Sequence, residues 1–183
     1  MAGMFEEKRV PDRQVRAAQT GTTVRVYQAC SPAVADAALE KQTFAEREGT
    51  TWLVPSFRWA AYGSGNGSEP GRERILAVDI TRDGFEQALS QVGDGRVLVQ
   101  WDAERDLDHT ALNFAAIRIG LTGEATDHYV DEWITAITDV TPVMRDISGL
   151  LATDQLHKAV KLVPHEPPYE LPAELAKAID ATG

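Results

Sequence analysis

The strand-to-helix junction at residues 25–32 constrains the fold of this chain more than any other stretch. Residues 25–30 (RVYQAC) end a run with the alternation typical of a strand, and Ser31 and Pro32 supply an N-cap and a first-turn proline for a helix. Tyr27 and Gln28 are therefore expected at a strand end, beside the exposed amides of a helix N-terminus. Such a junction is typical of a site for a nucleotide-like ligand.

The composition limits the classes of function. The chain has 183 residues, 43% hydrophobic and 25% charged, and 18 basic against 28 acidic residues give a formal net charge of −10. This balance disfavours sequence-independent binding to a long phosphate backbone, although a local basic cleft is compatible with it. The single cysteine, the absence of an apolar signal core in the first residues and the lack of a membrane-length apolar run predict a cytoplasmic protein with no membrane partner.

The sequence divides into three regions. Residues 1–20 are polar and charged and are expected to form a flexible arm, residues 21–155 a single domain, and residues 156–183 a C-terminal tail with a short helix. Strand patterns interrupted by helical patterns predict the α+β class, with a central curved or split, mainly antiparallel sheet flanked by helices.

Individual elements follow from local patterns. Apolar runs bounded by turn signals predict further strands at residues 75–80, 96–101 and 115–121. Helical spacing and capping residues predict helices that begin after Ser56 and at Thr81, and others over residues 122–137 and 143–151. In the third of these, Tyr129, Trp133 and Ile137 recur every four residues, as on the apolar face of an amphipathic helix.

Four polar residues occupy positions near strand ends or within an apolar strand: Gln28, Ser56, Asp102 and Arg118. Each also has a purely structural interpretation, since Gln28 and Ser56 suit helix caps, Asp102 suits a solvated turn, and Arg118 suits the outward face of a half-buried strand. The neighbouring aromatic residues Trp52, Trp59, Tyr62 and Trp101 are expected to pack in the core or at its rim, although planar rings near a polar cleft also stack on a planar ligand.

Other motifs are uninformative or negative. The four histidines are too far apart for a metal site, so we expect no metal. The glycine-rich segment at residues 63–71 lacks the Lys-Ser/Thr ending of a phosphate-binding loop and is expected to be a flexible connection or a lid. Cys30 has no base beside it in the sequence, which favours a small buried residue over a nucleophile.

Several blocks, in order, resemble the family catalogued as domain of unknown function 4291. They are residues 13–16 (RQVR), 24–29 (VRVYQA), 52–59 (WLVPSFRW), 74–80 (RILAVDI), 99–102 (VQWD), 118–121 (RIGL), Trp133 and 139–142 (DVTP). The chain departs from the family pattern at Val54, where the pattern has lysine, and at Gly63 and Asn66, where it has arginine and tryptophan. These departures imply a weakened or altered contact with an anionic substrate.

Residues 27–32 (YQACSP) are also similar to the first strand and helix of ADP-ribosyltransferase folds. This resemblance implies an enzyme that takes NAD as substrate, needs no metal and transfers ADP-ribose to an acceptor. Gln28 would hold a ribose, Trp59 or Tyr62 would line the nicotinamide pocket, and Gln100 and Asp102 would supply the catalytic Gln-x-acid motif. The remaining residues of the implied NAD site are Arg25, Tyr27, Ser56 and Arg118.

Two other classes of function stay open at this stage. One is a non-catalytic module that binds a nucleotide or a nucleic-acid end, with arginines gathered around the aromatic side chains: Arg13, Arg16, Arg25, Arg58 and Arg118. The other is a protein-interaction domain that uses an exposed face at Trp59 or Trp133.

Overall fold

Two small antiparallel sheets organise the chain, of which this computed structural model describes residues 10–183. The strands are β1 (Thr23–Cys30), β2 (Thr51–Leu53), β3 (Arg74–Thr81), β4 (Val97–Arg105), β5 (Ala111–Leu121) and β6 (Ile134–Asp139). The first sheet has the order β1-β3-β6 and the second the order β2-β5-β4. The prediction of an α+β domain with a split antiparallel sheet is therefore confirmed.

Helices connect the strands and follow them. They are α1 (Pro32–Lys41), α2 (Phe57–Gly63), α3 (Arg82–Ser90), α4 (Glu124–His128), α5 (Thr141–Ala152), α6 (Leu156–Leu162) and α7 (Ala173–Ala178). The first three begin at the predicted caps, because the hydroxyls of Ser31, Ser56 and Thr81 each accept a backbone N–H of the first turn. Across residues 10–183, the structure contains no helix of the length and apolar character that a membrane crossing requires.

The central strand of the first sheet, β3, is buried on both faces. Val24 and Val26 of β1 point into one core, which also contains Ile119 of the second sheet, whereas Tyr27 points to the opposite face and packs against Phe57. This double burial explains why β3 is an almost continuous apolar run rather than an alternating one.

The two sheets meet at one point along their edges. β1 is an edge strand of the first sheet and β2 of the second, and Tyr27 and Val54 exchange both backbone hydrogen bonds at N···O distances of 2.7 and 3.1 Å. Beyond this bridge the strands are no longer paired, and a cavity opens between residues 28–31 and residues 50–52.

The predicted helix over residues 122–137 is wrong in its second half. α4 ends at His128, the π-helical turn Tyr129–Trp133 follows, and the chain then enters β6. The β-branched residues Ile134, Thr135 and Ile137 pack well on a pleated sheet, and β3 offers a free edge for them to pair with. The four-residue recurrence of Tyr129 and Trp133 therefore does not extend to Ile137 as a helix.

The terminal segments pack more tightly than the sequence predicts. Residues 1–9 of the predicted arm lie outside the described residues, but Val15 and Ala17 have no exposed surface. The backbone N–H of Tyr169 donates to the carbonyl of Val15, and Ile179 is also buried. The described part of the N-terminal segment and the C-terminal tail therefore pack against each other and against the core. The tail carries two helices, α6 and α7, where the sequence predicts one.

Gly84, in the first turn of α3, makes the π-helical turn possible. A methyl group at Gly84 would overlap the ring of Trp133, which is buried and therefore does not form the exposed face considered above. We expect Gly84→Ala to lower the free energy of unfolding by about 1–3 kcal/mol through overpacking.

The matched control is Gly149→Ala on the exposed side of α5, where a methyl group meets nothing within 4 Å, and where helix propensity predicts a small gain in the free energy of unfolding. Chemical denaturation that gave both variants equal stability would contradict this role of Gly84.

Candidate functional site

A cavity of about 450 Å³ lies between the diverging edges of β1 and β2. Its size is that of a small-molecule site. The wall is formed by the end of β1, by the segment that precedes and forms β2, by α1 and α2, and by β5. Its residues include Gln28, Ala29, Cys30, Phe44, Glu46, Glu48, Trp52, Trp59, Arg72 and Arg118. The antiparallel ladder turns the N–H and C=O of Ala29 toward the same edge as those of Tyr27, so backbone groups also face the cavity.

Arg118 forms the most distinctive wall of the cavity. Its guanidinium carbon lies 4.5 Å from the ring centroid of Trp52 and 4.6 Å from that of Trp59, so both indole rings lie within cation–π distance of the group. Gly120 allows this arrangement, because a Cβ atom there would lie 3.0 Å from the Trp52 ring. One guanidinium nitrogen, Nη1, donates to Oε1 of Gln100 at 3.1 Å.

The charge of Arg118 is not neutralised by a neighbour. Its Nε is buried without a hydrogen-bond partner, and the guanidinium makes no ion pair with a carboxylate of residues 10–183. With Nε enclosed and Nη1 engaged by Gln100, Nη2 is the guanidinium nitrogen that makes no hydrogen bond within residues 10–183 and is not enclosed. A guanidinium with a free N–H donor suits an oxyanion such as a phosphate.

The predicted Gln-x-acid motif lies directly behind this wall. Gln100 contacts Arg118, and Oδ2 of Asp102 accepts the indole N–H of Trp59 at 2.9 Å. Neither Gln100 nor Asp102 lines the cavity itself. The structure therefore places both residues of the motif one side chain away from the cavity, in contact with the wall residues Arg118 and Trp59.

Gln28 lines the cavity at the end of β1. Its Oε1 accepts a hydrogen bond from the hydroxyl of Tyr129 at 2.9 Å. Tyr129 lies in the π-helical turn and has no exposed surface. The Tyr129 ring stacks on Phe44, another wall residue, with an interplanar angle of 18°. Sequence reasoning missed Tyr129, because its spacing is indistinguishable from that of an ordinary core residue.

Of the remaining predicted site residues, Tyr27 also lines the cavity, whereas Arg25, Ser56 and Tyr62 lie outside it. Arg25 is held by a two-pronged ion pair with Asp79, at 2.8 and 3.0 Å. Tyr62 packs edge-on against Trp59 and is covered by the guanidinium of Arg105 at 3.9 Å. Of the five arginines expected to gather around the aromatic side chains, only Arg118 lines the cavity.

Ser56 belongs to a second polar cluster, at the start of α2. Its hydroxyl caps the helix by accepting the N–H of Trp59 and donates to Glu104 at 2.9 Å. The carboxylate of Glu166 accepts the N–H of Phe57 at 3.0 Å. Burial, reinforced by the negative charge of Glu104, raises the pKa of Glu166 to about 8.

Other charges line the cavity as well. Glu46 and Glu48 come from the segment between α1 and β2, and Arg72 from the segment after α2. Two positions at which the chain departs from the family pattern, Val54 and Gly63, also belong to the wall. The mixed charge makes the cavity unlike the uniformly basic surface that binds a long nucleic acid.

Nothing in the described residues suggests metal or thiol chemistry. Within residues 10–183, no three side chains of the histidine, cysteine, aspartate and glutamate types are grouped to hold a metal ion. Cys30 is buried, and burial raises the pKa of its thiol to about 12, so the nucleophilic thiolate does not form at neutral pH.

The structure is that of a small α+β protein with a cavity between the edges of two antiparallel sheets. The family described as domain of unknown function DUF4291 matches residues 14–96 and 90–169, and the chain belongs to this family. Neither the curated proteins nor the solved structures contain a significant match.

Proposed function

We propose that the cavity binds NAD and that the protein transfers ADP-ribose from NAD to an acceptor. The observation that carries this proposal is the position of the Arg118 guanidinium, which packs against the indole rings of Trp52 and Trp59 and lines the cavity where β1 and β2 diverge. A dinucleotide offers what such a wall binds: a diphosphate for the guanidinium, sugar oxygens for the Gln28 amide, and a planar amide-bearing ring for the backbone groups of Ala29.

The reaction needs little from the protein beyond positioning and charge. The bond between ribose C1′ and the nicotinamide nitrogen breaks, its electron pair leaves with neutral nicotinamide, and the acceptor forms a new bond to C1′ while losing a proton. Positive charge develops on the ribose, so a nearby carboxylate accelerates the step. Three carboxylates are candidates for this role, namely Asp102 behind the wall and Glu46 and Glu48 within it.

A second candidate function is nucleotide binding without catalysis. It is favoured by the hydrogen bond between Asp102 and Trp59, which engages the carboxylate that the Gln-x-acid motif would use. In this case the cavity holds the nucleotide in the same way, but NAD remains intact.

Calorimetry and a nicotinamide assay on the same samples separate these functions. We expect NAD and ADP-ribose to bind, and nicotinamide to appear when NAD is incubated with the protein. Asp102→Asn keeps an acceptor for the Trp59 N–H and is expected to slow release about 100-fold or more without weakening binding, with Asp106→Asn in the exposed β4–β5 turn as control. NAD binding without nicotinamide release would favour the second function, and binding of a short oligonucleotide in place of NAD would refute both.

A further inference from the structure

The position of Tyr129 determines which part of the Gln28 amide faces the cavity. The Tyr129 side chain is fully enclosed, with Phe44 stacked on one face of its ring, and its hydroxyl contacts Oε1 of Gln28 at 2.9 Å. Burial raises the pKa of Tyr129 well above its usual value, so the hydroxyl keeps its proton as a donor. In an amide the carbonyl oxygen accepts hydrogen bonds and the nitrogen donates them, so the Tyr129 hydroxyl binds the carbonyl oxygen of Gln28.

The other end of the amide is left for the ligand. Nε2 of Gln28 has no hydrogen-bond partner among residues 10–183. It is not among the enclosed polar atoms without a partner, which means that it has accessible surface, and Gln28 lines the cavity. Nε2 therefore faces the accessible space of the cavity. A freely rotating glutamine could present either an oxygen or an amino group. With its oxygen occupied by Tyr129, this one presents two N–H donors.

We propose that Tyr129 is a positioning residue, which fixes the Gln28 amide so that the site selects a ligand with an oxygen acceptor at this point. The inference rests on the proposed function, in which a ribose hydroxyl oxygen of NAD is the acceptor. The π-helical turn is the structural device behind it, because the turn directs Tyr129 toward β1 while the chain passes from α4 into β6. Such turns occur often at functional sites.

The first experiment measures NAD affinity by calorimetry in a double-mutant cycle. Tyr129→Phe retains the ring but frees the amide, and is expected to weaken binding about five- to tenfold; Gln28→Ala is expected to weaken it at least as much. Because Tyr129 acts through Gln28, the double variant is expected to bind no more weakly than Gln28→Ala alone. Additive losses would mean that Tyr129 has only a structural role, and would overturn the inference.

The control for the tyrosine substitution is Tyr169→Phe. Tyr169 is also buried, and its hydroxyl donates to Glu86 at 2.9 Å, away from the cavity wall. This variant loses a buried hydroxyl of the same kind and is expected to bind NAD as the wild type does. A loss equal to that of Tyr129→Phe would show that the effect is not specific to Gln28.

A second measurement keeps the inference separate from the proposed function. In the protein without ligand, the NMR resonance of the Gln28 side-chain carbonyl carbon is expected to shift in Tyr129→Phe and to stay in place in Tyr169→Phe, since only the first variant removes a donor to Oε1. If wild-type protein binds no NAD, the proposed function fails, and this resonance still tests the orientation of the amide. An unchanged resonance in Tyr129→Phe would overturn the inference whatever the ligand.

Discussion

Replacing Arg118 with lysine is expected to weaken the binding of ADP-ribose by about 10- to 100-fold, the value of one or two charge-assisted hydrogen bonds. The substitution keeps the positive charge but removes the planar group that packs against Trp52 and Trp59. A lysine ammonium is strongly hydrated and bears its charge at one point, so it does not reproduce the guanidinium N–H donor that Arg118 offers to a phosphate.

Two ligands show whether the lost contact involves the phosphates. The affinity for ADP-ribose is expected to fall in Arg118→Lys, while the affinity for adenosine, which has no phosphate, changes little. The matched control is Arg145→Lys on the exposed side of α5, which makes the same chemical change away from the cavity. Equal losses for both ligands would indicate that Arg118 only supports the two indole rings, and would contradict its assignment to the phosphates.

Much of the fold is predictable because local signals and tertiary packing agree. The caps at Ser31, Ser56 and Thr81 fix three helix starts, and the apolar run of β3 indicates a strand buried on both faces. The prediction fails where the two disagree. Residues after His128 have helical spacing, but the free edge of β3 offers the β-branched residues of β6 a sheet partner, and this pairing decides the outcome.

The candidate site is only partly predictable, for a physical reason. Sequence patterns place Gln28 at the end of a strand and Arg118 within one, and both residues line the cavity. They do not indicate which distant residue will bind a given side chain. Arg25 forms an ion pair with Asp79, and Asp102 accepts the N–H of Trp59; both contacts join residues more than 40 positions apart.

The charge state of Glu166 predicts an unusual dependence of stability on pH. Because the pKa of this carboxyl is about 8 in the folded protein and near 4.5 in an unfolded chain, the folded state binds an extra proton between these values. The contribution of Glu166 to the free energy of unfolding is thus fully present below pH 4.5 and is lost as the pH rises through 8. Other groups titrate in the same range, so the contribution is measured as a difference between variants.

Glu166→Gln keeps an acceptor for the N–H of Phe57 but cannot ionise. We expect its free energy of unfolding, relative to wild type, to rise by on the order of 2 kcal/mol between pH 5 and pH 8, measured by urea denaturation at each pH. Glu174→Gln, on the exposed side of α7, removes a carboxylate in the same C-terminal tail and should show no such trend. A difference between Glu166→Gln and wild type that is constant with pH would contradict the raised pKa of this carboxyl.

The same titration also connects the C-terminal tail to the cavity. The Glu166 carboxylate accepts a backbone N–H in the first turn of α2, and α2 carries Trp59, one of the two rings that pack against Arg118. When Glu166 ionises beside Glu104, the added repulsion and the cost of a buried charge both act against this contact. The affinity of wild-type protein for ADP-ribose is therefore expected to fall more steeply above pH 8 than that of Glu166→Gln, and parallel pH profiles would show that the tail and the cavity act independently.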